Sequence, residues 1–84
     1  MTDPLKRDDT WAEIQPGCYM DTEGNAHVFP DEVLAYLQKE HPDAGFDPRS
    51  YADYCMVVET YTEIVQAMYP EAMVIVAKHE RPTN

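Results

Sequence analysis

At 84 residues the chain has room for one domain with one core, and it can bury only about 60–65% of its unfolded surface. Its 44% apolar content argues against global disorder, while no apolar run approaches the ~20 residues that cross a bilayer. Sixteen acids against six bases give a net charge of −10, which repels nucleic acid and anionic membrane and attracts a basic protein.

Residues 1–10 are polar and charged with one proline, and are expected to form a disordered arm. They lack the apolar stretch of a secretion signal, so a cytoplasmic setting is expected, in a bacterium or a phage-infected cell. Residues 11–14 alternate weakly and predict a short strand, which Pro16-Gly17 breaks or bulges. Residues 18–29 predict a hairpin. Gly24 is placed to take a positive φ and close a three-residue loop, with Asp21 paired to Asn25. That register puts Cys18, Met20, Ala26 and Val28 on one face, and Tyr19, His27 and Phe29 on the other.

Pro30 suits the first position of a helix, with Asp31 and Glu32 near its positive end and Val33, Leu34 and Leu37 as the apolar stripe. That helix should stop near His41-Pro42. After a polar loop, Asp47-Pro48 reads as an N-cap followed by a first-turn proline. The helix it opens, roughly 48–69, has the strongest periodicity in the chain. Tyr51, Tyr54, Val58, Tyr61, Val65 and Met68 recur at three- and four-residue spacing, with Val57 and Ile64 alongside. Tyr54, Val58, Tyr61 and Val65 are expected to pack on the sheet. Pro70 ends the helix, and residues 72–78 are apolar on both faces as far as Ala77, which predicts an interior strand. Residues 79–84 read as a flexible tail. The order β-ββ-α-α-β predicts an α+β domain over 11–78, a two-layer sandwich with both helices on one face of a small, mainly antiparallel sheet.

No motif for catalysis emerges. Tyr19, His27 and Asp21 share a hairpin and could supply an acid, a base and an orienting carboxylate, but cross-strand pairing produces such a trio as well. Cys18 and Cys55 are too far apart in sequence to form a close-spaced pair, and reduced thiols are expected. Cys18, His27, His41, Cys55 and His79 lack the paired spacing of a structural zinc site. The stretch 21–25 departs from a calcium loop, because its glycine stands fourth rather than sixth. Neither a metal nor a cofactor is expected, and the chain reads as a non-enzymatic protein.

Charge carries the functional expectation. Between Ser50 and Ala77 the acids Asp53, Glu59, Glu63 and Glu71 stand without a lysine or arginine. Glu59 and Glu63, four residues apart, are a like-charge pair that costs about 0.2–0.5 kcal/mol. The expected partner-binding residues are Asp53, Met56, Glu59 and Glu63 on the outer side of the second helix, with Asp31 and Glu32 on the first. The expected partner is a protein with a basic surface, and one form of this is a DNA-mimic inhibitor of a nucleic-acid-binding protein. The alternative is a small subunit or homodimer whose acidity serves solubility, with a small enzyme third.

Overall fold

The computed structural model describes residues 10–79. The expected arm and tail lie outside the described residues, except for Thr10 and His79. Strands β1 (Ala12–Gln15), β2 (Cys18–Met20), β3 (Ala26–Val28) and β4 (Val74–Val76) form one sheet in the order β1-β2-β3-β4. Helices α1 (Pro30–Glu40) and α2 (Tyr51–Met68) lie between β3 and β4 in the chain. The β1–β2 and β2–β3 pairs are antiparallel and β3–β4 is parallel, so this is an α+β fold with a mostly antiparallel sheet.

Local chemistry accounts for most of these elements. The hairpin closes with the Asp21 N–H donating to the Asn25 carbonyl at 2.9 Å and with Gly24 at φ +88°. The Asp21 carboxylate stiffens the turn by accepting the Glu23 and Asn25 N–H groups at 2.8 and 2.9 Å. Cys18 opposes Val28, Tyr19 opposes His27 and Met20 opposes Ala26. At the other end of β2, Gly17 takes φ +83°, and its carbonyl accepts the Phe29 N–H at 2.8 Å. A Cβ there would stand 2.5 Å from Val33 Cγ2, so the backbone of this turn rests directly on α1. Pro30 opens α1 with Asp31 and Glu32 in its first turn, and Lys39 sits in its last turn.

One face of the sheet carries the core. Cys18, Ala26 and Val28 meet Val33 and Leu34 of α1 and Val57 and Val65 of α2, all fully buried, so both helices cover the same face. Burying an aliphatic side chain of this size contributes roughly 1.5–3 kcal/mol.

Three expectations are corrected. The strand at 72–78 is not interior: β4 spans Val74–Val76, pairs with β3 alone among the described residues and leaves Ile75 40% exposed. Its apolar character on both faces is explained by Val74 and Val76 packing on the core while Ile75 points to the opposite side. The stripe of α2 is also rotated. Val57, not Val58, shares the fully buried positions with Val65; Tyr54, Val58 and Tyr61 are half-buried and Tyr51 is exposed. A tyrosine keeps its hydroxyl within reach of polar partners, so a tyrosine-rich stripe settles at the margin of the core. Finally, α2 is capped by Ser50 rather than Asp47: the Asp53 N–H donates to Ser50 Oγ at 3.2 Å. Asp47 instead closes the preceding turn by accepting the Arg49 N–H at 2.9 Å.

Candidate interaction surface

The outer face of the sheet brings together the trio singled out for acid–base chemistry, but only in part. His27 Nε2–H donates to Asp21 Oδ2 at 2.8 Å, and since a carboxylate only accepts, the proton sits on that nitrogen. This bond, with the backbone N–H groups of Asn25 and Glu23, holds the Asp21 carboxyl below its usual range. Tyr19 turns away and donates its hydroxyl to Glu32 Oε1 at 3.0 Å. Trp11 completes the cluster by stacking on His27 at 3.9 Å between ring centroids, and Phe29 packs edge-on to Tyr19. The strand expected at 11–14 runs one residue later, so Trp11 stands just ahead of β1, and nothing in its sequence context links it to His27. The result is a second, aromatic layer tying β1, β2 and β3 together, with a histidine–carboxylate pair inside it.

A second cluster joins the starts of both helices to the end of β4. His79 Nδ1–H donates to Asp31 Oδ1 at 2.9 Å, and the Tyr54 hydroxyl donates to the Ala77 carbonyl at 2.8 Å. The His79 ring lies 5.0 Å from that of Tyr54 and 5.9 Å from that of Tyr51. His79, expected in the tail, is thus packed against the domain. Burial, with the charge of Asp31 next, pushes the Tyr54 hydroxyl pKa up.

The six residues expected to bind a partner divide into two groups. Asp31 and Glu32 accept the hydrogen bonds from His79 and Tyr19, and Asp53 accepts the Asp47 N–H at 3.0 Å. These three carboxylates have structural work within the chain. Met56, Glu59 and Glu63 project from the exposed side of α2. The Lys and Arg residues among the described positions are Lys39, Arg49 and Lys78, none of them on α2.

Neither cysteine is paired. Cys18 is buried and its thiol pKa is pushed up to about 11, first by burial and then by the charge of Glu32; Cys55 is exposed. Among the described residues, no three His, Cys, Asp or Glu side chains gather as a metal-ligand set, and no helix is long and apolar enough to cross a membrane.

A groove lies where the hairpin tip, the end of α2 and the approach to β4 meet. It is a shallow, open groove of about 610 Å³, with Met20, Met68, Tyr69 and Pro70 as its apolar lining and Glu23 and Glu71 as its charged residues. Its walls come from two segments far apart in the chain, 20–24 and 68–72, so no local sequence signal marks it. Comparison with protein-family models, with curated proteins and with solved structures gives no match to this chain.

Proposed function

We propose that this protein is a non-enzymatic interaction module that binds a basic protein surface through its carboxylates. The observation that carries the reading is the exposed side of α2, where Met56 is followed one and two turns later by Glu59 and Glu63 and the helix supplies no Lys or Arg. Folding has no need of that arrangement, since like charges at this spacing are mildly destabilising. The carboxylates would meet Arg and Lys of the partner, with Met56 as an adaptable apolar contact. In its most specific form the partner is a nucleic-acid-binding protein whose phosphate-contacting groups the carboxylates engage, a DNA-mimic mode. A cytoplasmic setting in a bacterium or infected cell belongs to this reading, and the two free thiols are compatible with it.

The test is capture from a bacterial lysate by the immobilised protein and by the Glu59→Lys/Glu63→Lys variant, at low and high salt. Expected is a captured protein that elutes as salt rises and is not held by the variant. Equal capture by both, or capture that ignores salt, removes this face of α2 from the interface. The exposed Ile75 and the edge position of β4 favour a second reading, a homodimer whose acidity keeps it soluble. Sedimentation distinguishes it by a mass that doubles with concentration and does not depend on salt.

A further inference from the structure

The groove at the end of α2 joins three features that point to one kind of occupant. Its lining is apolar and soft. Met20 and Tyr69 pack on the core, while Met68 stays 43% exposed at the groove wall. Methionine adapts its shape to a guest, and an exposed one beside a concavity gains by being covered.

Its field is negative from three directions. Glu23 comes from the hairpin tip and Glu71 from the segment before β4, and among the described residues no Lys or Arg lines the groove. The third contribution is backbone. Pro70 has no N–H, so the Gln66 carbonyl lacks the donor that a continuing helix would bring it. The end of α2 is closed by the Tyr69 N–H to the Val65 carbonyl at 2.8 Å and by the Ala72 N–H to the Tyr69 carbonyl at 3.0 Å. The last turn of α2 contains no basic residue, whereas α1 has Lys39 there. The negative end of the α2 dipole is therefore uncompensated by a side chain of its own helix.

An apolar lining under a negative rim suits a side chain with an aliphatic stem and a cationic head. Arginine fits better than lysine, because its planar fork can meet a carboxylate and helix carbonyls together, whereas ammonium is a compact, strongly hydrated point charge. The volume, about 610 Å³, falls in the range that accepts a small ligand or a few residues of peptide. We propose that this groove is a docking site for an arginine-bearing segment of a basic protein. The arginine stem lies along Met20 and Met68, and its guanidinium lies between Glu23, Glu71 and the carbonyl end of α2. This rests on the reading above, that the partner is basic, and it places an anchor at the end of α2 in addition to the strip along its side.

The probe is a short fluorescein-labelled peptide alternating arginine and leucine, with lysine-for-arginine and glutamate-for-arginine versions as controls. Anisotropy gives the affinity, and amide chemical shifts give the location. Expected is saturable binding of the arginine peptide, several-fold weaker binding of the lysine version and none of the glutamate version. Amide shifts should centre on Gly24, Tyr69, Glu71 and Ala72. Glu23→Gln/Glu71→Gln should weaken binding about tenfold while leaving the amide spectrum that of the folded protein. Met68→Ala should weaken it several-fold with little salt dependence. Glu40→Gln, at an exposed carboxylate on α1 away from both the groove and the strip on α2, should change it by less than about twofold. Binding that survives Glu23→Gln/Glu71→Gln, with shifts centred on Glu59 and Glu63, overturns the groove and leaves the proposed function standing. No binding of the arginine peptide also overturns the groove, while the proposed function is then judged by lysate capture alone.

Discussion

The two ends of the molecule differ in how far they are filled. At one end the Gly17 turn, the first turns of α1 and α2 and the end of β4 converge, and side chains tie them to one another. His79 bonds Asp31, Tyr54 reaches the Ala77 carbonyl, and Gly17 sits against Val33 with no space for a Cβ. At the other end the hairpin tip, the finish of α2 and the start of β4 also converge, yet a groove remains between them. The glycine there, Gly24, has nothing among the described residues within 4 Å of where a Cβ would be. The same sheet and the same helix thus finish once in packing and once in an opening. Packing contributes to stability, and an opening lined by methionine and glutamate is available to a partner.

The largest expected effect exploits the two glycines. Gly17→Ala meets both a disfavoured φ and Val33, and should cost about 3 kcal/mol. Gly24→Ala meets only the φ penalty, about 1–2 kcal/mol. Urea unfolding of both variants checks this, and equal losses would erase the difference between the ends. Next comes alkaline pH. The Cys18 thiol ionises near 9 when unfolded and near 11 when folded, so the unfolded chain loses its proton first. Stability should therefore be unaffected by this group below pH 9 and fall by roughly 2–3 kcal/mol as pH rises to 11. Tyr54 and Tyr61, whose hydroxyl pKa values are raised chiefly by burial, push in the same direction, so Cys18→Ala should remove part of the slope and not all of it. The smallest effect sharpens the comparison most. Tyr54→Phe, at the filled end, deletes one hydrogen bond and should cost about 1 kcal/mol in thermal unfolding. Glu71→Gln, at the open end, should change stability by less than about 0.5 kcal/mol.

What could be read from the sequence follows from how local its cause is. Gly24, the Asp21–Asn25 pairing, Pro30 at the start of α1 and Pro70 beyond the end of α2 are all set by backbone chemistry within a few residues, and the structure has each of them. The position of β4 was not legible, because a strand apolar on both faces reads alike whether it is central or at an edge. The choice of Val57 over Val58 turns on a small rotation of α2 that periodicity cannot resolve when tyrosines dominate the stripe. Ser50 displaced Asp47 as the cap because two good capping residues stand three apart and only tertiary packing selects between them. Of the expected contact residues, Asp31 and Glu32 have partners 48 and 13 residues away, and Asp53 bonds the Asp47 N–H across the turn before α2, none of which composition reveals. Glu23 and Glu71 were visible only as charges, since the groove that joins them exists only once hairpin and helix are packed together.

The parallel pairing of β4 with β3 also has a consequence for synthesis. The ribosome delivers β3, then both helices, and only afterwards Val74–Val76. Until that strand emerges, one edge of β3 presents unpaired N–H and carbonyl groups, including those of Ala26 and Val28 that later bond Met73 and Ala77. A nascent chain halted after α2 would hold a hairpin with an open edge, the kind that recruits strands from neighbouring chains. Completion of the last strand is thus the step that turns a self-adhesive intermediate into a closed domain, and slow translation after Pro70 would prolong that exposure.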